Sequence, residues 1–234
     1  MASALAYDPQ INFSQFPLHR YRISADSRDI GSFLNKRTGP NRSRRFPKKS
    51  LLFTSEANAD GFFWIKEGTV RTYIDSPSGL KQQTLKIYPK GTCVGIRDAL
   101  FGESYNKNAE CLEDTEVIFV GKEEAENLLN DDMFRDCIIK YITSESREAE
   151  NRIYSMGTKQ VHSKLAEILL SLQEAYGPEI NLKFSREVMA SIVGAKTETV
   201  VRALTDLKEK GWINVEKNII RINDISALER LVEV

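Results

Sequence analysis

Glu198 and Arg202 stand one helical turn apart in the stretch Ser185 to Leu207, SREVMASIVGAKTETVVRALTDL. A carboxylate accepts from cytosine N4, and a guanidinium bonds guanine O6 and N7, so the two side chains can read base edges. The same residue types at i and i+4 also make an ordinary solvated helix pair, and the setting has to separate the two readings. The pattern predicts two short helices joined by a tight turn. Ser185 is a candidate N-cap, Val188 and Ile192 fall on one face of the first helix, and Gly194 sits where the turn needs a residue tolerant of positive φ. On the second helix, at about 100° per residue, Val200, Ala203, Leu204 and Leu207 gather on one side. Glu198, Val201, Arg202 and Thr205 are left on the other, with Lys196 and Thr197 at its start. Lys208-Glu209-Lys210-Gly211 closes the helix, and Trp212–Val215 and Ile219–Ile222, joined by Glu216-Lys217-Asn218, predict a hairpin in the place of a wing.

These elements need a body to hold them, and 234 residues with 41% hydrophobic and 28% charged residues fit two soluble globular domains. No apolar run approaches the roughly 18 residues of a spanning helix, and the start, MASALAYDPQ, lacks a basic region followed by an apolar core, so a cytoplasmic, non-membrane protein is expected. Formal net charge is zero, which on its face argues against a nucleic-acid partner, but the charge is unevenly placed. Residues 20–49 hold ten Lys and Arg against two Asp; residues 110–150 hold thirteen Asp and Glu against four Lys and Arg. The base-reading segment 183–221 is mildly positive, eight against five, so affinity would lean on dimerisation. Cys93, Cys111 and Cys137 are too widely spaced for a disulfide framework or a zinc site and read as reduced thiols.

Along the chain, residues 1–24 read as a loose lead-in and 26–37 as a short helix; the basic run Lys36 to Lys49 reads as a solvated loop, or as an auxiliary phosphate contact. From Ser50 to Val120 the runs SLLFT, FFWIK, TVRTYID, LKQQTLKIY, TCVGI and TEVIFV alternate with turn residues, as in a jelly roll or barrel. Asp131 to Met156 has no Pro or Gly and predicts a long helix ending at Gly157. A heptad seam runs along it, with Arg135, Ile142, Ala149 and Met156 at one position and Ile139, Ser146 and Ile153 at the other. Val161 to Tyr176 is amphipathic, with Leu165, Ile168, Leu169 and Leu172 inward; His162 at its start is a lone histidine, more in keeping with a surface or capping role than with a metal or haem ligand.

Gly194, then Glu198-Thr199-Val200-Val201-Arg202, Leu207, Gly211 and Ile213, resembles the recognition signature of the Crp/Fnr transcription factors, and FFWIKEG-TVRTYID followed by YPKGTCVG resembles their effector domain. The resemblance spans about residues 45 to 223. It implies an α+β chain: a cyclic-nucleotide-binding-like β-barrel or jelly roll over residues 1–130, a dimerisation helix over 131–158, and a winged helix-turn-helix over 159–234. It implies a homodimer on double-stranded DNA with RNA polymerase as protein partner, Ser185, Lys196, Thr197, Glu198, Val201 and Arg202 at a TGA-type half-site, and Ile139, Ile142, Ala149, Ile153 and Met156 in the dimer helix. Lys196 stands where the family usually has a capping Ser, and Thr197 where one branch has a further base-reading Arg.

The resemblance also implies an effector pocket at Gly95, Ile96, Arg97, Lys107, Asn108 and Ala109. Cyclic-nucleotide binders place an acidic residue at the position of Ile96, an arginine at Lys107 and a Thr-Ser pair at Ala149-Glu150. With those groups replaced, cyclic AMP is not the expected effector, though Lys107 and Arg97 leave a remodelled anion pocket open. No cysteine cluster precedes the barrel for iron–sulfur, and haem, with His162 or a methionine as axial ligand, has no motif behind it. Two other function classes compete. A cyclic-nucleotide or haem sensor module of the same family has no use for the Glu198 to Arg202 helix, and for an enzyme there is no Walker loop, no G-x-S-x-G, no H-E-x-x-H and only two histidines.

Overall fold

A computed structural model of the chain describes residues 30, 31, 33, 34, 43–181 and 184–233. The lead-in 1–24 with His19, most of the helix expected over 26–37, and residues 36–42 of the basic run lie outside these; Ile30, Gly31, Phe33 and Leu34 are helical.

The N-terminal half folds as two four-stranded antiparallel sheets. One has the order β1 (Ser43–Phe46), β8 (Thr115–Gly121), β3 (Gly61–Glu67), β6 (Cys93–Val94); the other has the order β2 (Leu51–Phe53), β7 (Asn108–Cys111), β4 (Thr69–Asp75), β5 (Gln82–Pro89). The period-2 alternation of β3 builds two cores at once. Phe63 and Ile65 face the second sheet with Val70, Tyr88 and Val117, while Phe62 and Trp64 face a helical layer with Ile118 and Val120. Two strands were not foreseen. β1 takes up the end of the basic run that read as a loop: strand pairing with β8 puts Arg45 against Glu116, with its Nε 3.2 Å from that carboxylate. β7 is only NAEC, four residues whose alternation of Ala109 and Cys111 into the core is too short to stand out, and its partners make it a strand.

The helical layer consists of α1 (Ile96–Phe101), α2 (Lys122–Leu128) and α3 (Asp132–Thr158). Asp131 caps α3 by accepting from the Phe134 N–H at 3.1 Å. The helix passes through Gly157 and ends at Thr158, one turn-fraction beyond the expected stop, because a single helical glycine costs only about 1 kcal/mol. Phe134, Ile138, Tyr141 and Glu148 form its buried face against the barrel, and Ser155 is buried against α4 (Val161–Tyr176).

The C-terminal half comprises α4 (Val161–Tyr176), β9 (Glu179–Asn181), α5 (Arg186–Val193), α6 (Thr197–Glu209), β10 (Ile213–Glu216), β11 (Ile219–Ile222) and α7 (Ile225–Val232). Leu165, Ile168, Leu169 and Leu172 of α4 are buried, as their spacing requires. Among them sits Glu167, wholly buried, accepting from Ser155 Oγ at 2.6 Å and Lys159 Nζ at 3.1 Å. That carboxylate ties α4 back onto the end of α3 and fixes the angle at which the C-terminal half leaves the helix. The wing differs slightly from the reading of its sequence. Gly211, at φ +72°, carries Trp212 into the closing turn of α6, where its N–H donates to Leu207 O, so pairing starts at Ile213↔Ile222 and the loop is the two residues Lys217-Asn218. Both β9, which pairs with β11, and α7, capped by Asp224, add to the fold beyond the elements read from the sequence.

Candidate nucleic-acid interface and effector cavity

Ser185 caps α5 by accepting from the Val188 N–H at 3.4 Å, and Gly194 ends it at φ 71°, ψ 38°. That left-handed turn is what swings α6 across α5, and a side chain there would also meet the end of Met156. α6 then divides as its periodicity demands, with Val200, Ala203, Leu204 and Leu207 buried and Glu198, Val201, Arg202 and Thr205 exposed. Neither Glu198 nor Arg202 has a side-chain partner among the described residues, so they do not form the i, i+4 pair that would have been their ordinary explanation. Val201, 44% exposed between them, offers an apolar surface of the kind that meets a thymine methyl. Lys196 occupies the N-cap position of α6 without a side-chain cap bond, which leaves the first N–H groups of the helix open to a phosphate oxygen; Thr197 begins the helix, half-buried. His162 is engaged elsewhere, with Nε2 2.8 Å from Asp206 Oδ2 on the flank of α6.

A second feature is a cavity of about 260 Å³ between the barrel and α3. Gly95, at φ +82°, turns the chain from β6 into α1 at its edge, where Ile96 is buried and Arg97 reaches the mouth with its side chain 56% exposed. Inside, Lys107 Nζ is 2.9 Å from Asp98 Oδ2 and 3.0 Å from Asn106 Oδ1. The floor is charged as well. Lys86 Nζ lies 3.0 Å from Glu145 Oε1 and 2.7 Å from Glu148 Oε2. Tyr88 donates its hydroxyl to Glu145 at 3.3 Å, while Tyr141 donates to the Cys93 carbonyl at 2.6 Å with Glu145 3.3 Å away. Burial alone would lower the Lys86 ammonium, but the two carboxylates outweigh it and raise its pKa above the usual lysine value. Burial, with Glu145 adding to it, pushes the Tyr88 and Tyr141 hydroxyls well above theirs.

Two family models match the two halves. The cyclic nucleotide-binding domain model matches residues 43–132, and the Crp-like helix-turn-helix domain model matches 163–231. The chain belongs to the Crp/Fnr family. The anaerobic regulatory protein of Pasteurella multocida is 25% identical over 197 residues, which are 81% of this chain and 71% of that protein. That of Bacillus subtilis is 27% identical over 184 residues, 75% and 76% of the two chains. FixK2 from Bradyrhizobium japonicum has the same fold, with a TM-score of 0.75 at 23% identity over 81% of this chain and 96% of its own. The protein is accordingly a DNA-binding transcription regulator of that family, and its relatives are regulators rather than enzymes. No helix among the described residues is long and apolar enough to cross a membrane.

Against the family pattern, the six residues expected at the effector site do not act together. Gly95, Ile96, Arg97 and Lys107 line the cavity, but Asn108 and Ala109 belong to β7. There Asn108 donates to Asp75 and accepts from the Ser55 N–H, and Ala109 is core, because pairing with β4 claims both. Lys107 is not a free cation for an anionic ligand, since Asp98 neutralises it. Ala149 lines the cavity, whereas Glu150 is exposed outside it. Sequence reasoning missed the cluster of Lys86, Tyr88, Tyr141, Glu145 and Glu148. Its signal was present: Lys86 and Tyr88 share a strand face at i and i+2, and Tyr141, Glu145 and Glu148 share a helix face at i, i+4 and i+7.

The cluster sets a pH dependence whose sign is fixed by raised pKa values. Its contribution is complete below about pH 10, where the unfolded lysine and tyrosines are protonated, and it is lost as pH climbs toward the folded values. Lys86→Met should destabilise the chain by roughly 3–5 kcal/mol at neutral pH, because the buried Glu148 and the half-buried Glu145 carboxylates lose their counter-charge. Urea melts across pH check both.

Proposed function

We propose that the protein is a homodimeric, sequence-specific regulator that reads TGA-type palindromic half-sites through Glu198 and Arg202, with RNA polymerase as its protein partner. The observation that carries this reading is the unpaired state of those two side chains among the described residues, on the outward face of a helix whose other face is core. Ser185 and Lys196 serve phosphate positioning, and Thr197 and Val201 flank the bases read.

Dimerisation falls to α3. Ile139 is 57% and Ile153 74% exposed, with Ala149 exposed between them, on a stripe that turns from the cavity edge, which Ala149 and Ile153 line, outward to Ile139. Ile142 and Met156 of the same seam have intramolecular neighbours, Ile142 on the barrel's helical core and Met156 against Gly194. The two bare isoleucines are therefore the better probes. A second copy covering that stripe would present two recognition helices to half-sites about one helical turn apart. Light scattering should give a dimer for the parent and a monomer for Ile139→Glu/Ile153→Glu; a parent that is monomeric at micromolar concentration rejects the assignment.

For base reading, Arg202→Ala should cost about 1–3 kcal/mol on the preferred duplex and relax choice at one base pair of each half-site. Selection from random-sequence DNA measures this directly, and identical sequence preferences for the two proteins would refute the role of Arg202.

The cavity does not suit cyclic AMP. A ribose acceptor is missing at Ile96, the phosphate partner Lys107 is already bound to Asp98, and Ala149 brings no hydroxyl. Each unmatched polar group of the ligand costs roughly 1–3 kcal/mol on leaving water, and three together remove several powers of ten in affinity. Calorimetric titration should show no heat of binding at micromolar cyclic AMP and no change in DNA affinity on adding it.

A further inference from the structure

Asp206 stands in the last turn of α6, where a carboxylate runs against the helix dipole and where a cation such as Lys208 is the favoured residue type. On that helix it lies one turn beyond Arg202 and beside it, with its Cβ tilted back toward Arg202. Side chains at i and i+4 are neighbours, so a free Asp206 has two cations in reach, Arg202 before it and Lys210 after it. Lys210 is taken, with its Nζ 4.7 Å from the centre of the Trp212 ring. Arg202 is therefore the partner that a free Asp206 would find.

A residue from another helix takes it instead. His162 Nε2 lies 2.8 Å from Asp206 Oδ2, and since an ionised carboxylate only accepts, that nitrogen carries the proton whether the ring is neutral or charged. The ring comes from the first turn of α4, which is fixed in two ways. Leu165 and Leu169, one and two turns on, are buried in the core that also takes Val200 and Leu207 of α6. Glu167, accepting from Ser155 and Lys159, ties the start of α4 to the end of α3. His162 is thus held against the flank of α6, and Arg202 keeps no side-chain partner among the described residues.

We infer that His162 is a positioning residue for base reading: by holding Asp206 on the flank of α6 it keeps the Arg202 guanidinium free for guanine. The inference rests on the assignment of base reading to Arg202. Two effects act in the same direction when the histidine is lost. A released Asp206 competes for the two-donor fork that guanine O6 and N7 require. It also sets an unpartnered negative charge about 6 Å along the helix from the base-reading residue, well inside the Debye length of about 10 Å at 0.1 M salt over which phosphates are felt.

With side chains 39% and 49% exposed, the His162–Asp206 pair adds little to stability, so variants of either residue fold. The probe is a duplex recovered by selection with the parent chain, and both affinity and base choice are read. His162→Ala should bind it about three- to tenfold more weakly and relax choice at the base pair read by Arg202. Asp206→Ala should bind at least as tightly as the parent. His162→Ala/Asp206→Ala should match Asp206→Ala, because with no carboxylate to release the histidine has nothing to hold. A loss that persists undiminished in the double variant means that His162 touches the DNA itself or serves only the fold, and it overturns the inference; so does unchanged binding by His162→Ala. Base reading is decided separately. If the parent selects no duplex, or Arg202→Ala selects the same sequences as the parent, that assignment fails and the inference falls with it. Relaxed choice for Arg202→Ala with unaltered choice for His162→Ala overturns the inference alone.

Discussion

The Lys86 ammonium, buried between Glu145 and Glu148, is the contact on which the rest of the architecture depends. It joins a strand of the barrel to the middle of the long helix at a place where the apolar face of that helix is interrupted. Phe134, Ile138 and Tyr141 bury the first half of the helix by ordinary packing, but beyond Tyr141 the inward positions are Glu148 and Ser155. Ser155 is bonded to Glu167 of α4, but without a cation opposite it Glu148 would favour water, and the middle of the helix would lift from the barrel. Buried ion pairs add little net stability over an apolar substitute, yet they tolerate no other register, because a shift of one residue leaves a charge unpaired. The rotation of the helix follows, and with it which residues face outward.

The sequence is most legible where burial and periodicity agree. α6 has one apolar and one polar face, so its orientation could be read from Val200, Ala203, Leu204 and Leu207 alone, and Gly194 marked the turn because few other residues accept its φ. The barrel strands announced themselves through β-branched and aromatic residues between turns. β1 was hidden by its arginines, which an edge strand can carry because Arg45 reaches over the surface to Glu116 and Arg44 lies over the Phe119 ring, and β7 by being too short to show a period. The charged interior was hardest to see. Glu167 and Lys86 sit among apolar neighbours in the sequence and Glu148 among polar ones, yet Glu167 and Glu148 are buried and Lys86 nearly so, Lys86 paired with a helix far along the chain and Glu167 with the end of the preceding helix. Pairwise satisfaction of that kind has no local signature, since nothing near Lys86 in sequence says that Glu145 and Glu148 lie across from it.

The same blindness explains the effector site. Ile96 and Lys107, which the resemblance marks as pocket residues, line the cavity, but only the fold reveals that Asp98 has neutralised Lys107 and that the floor is already paired. A cavity whose charges are satisfied from within makes little distinction between an empty and an occupied state. A ligand can shift a conformational equilibrium only by its difference in affinity for the two forms, and here the chain's own side chains supply the contacts an effector would otherwise bring.

What remains for control is geometry carried by the last two turns of α3. Ala149 and Ile153 line the cavity and also lie in the exposed stripe; Arg152 reaches the Ile192 carbonyl, and Met156 rests against Gly194 at the turn between α5 and α6. Eight residues, about 12 Å of helix, thus touch the cavity, the proposed dimer face and the hinge of the DNA reader. An event at any one of these, whether a second subunit covering Ile153 or a duplex pulling on α6, acts on the other two through a rigid element rather than through a chain of loops. The helix that a second copy would grip on the proposed dimer face is thus the one that holds the first helix of the reader, through the Ile192 carbonyl.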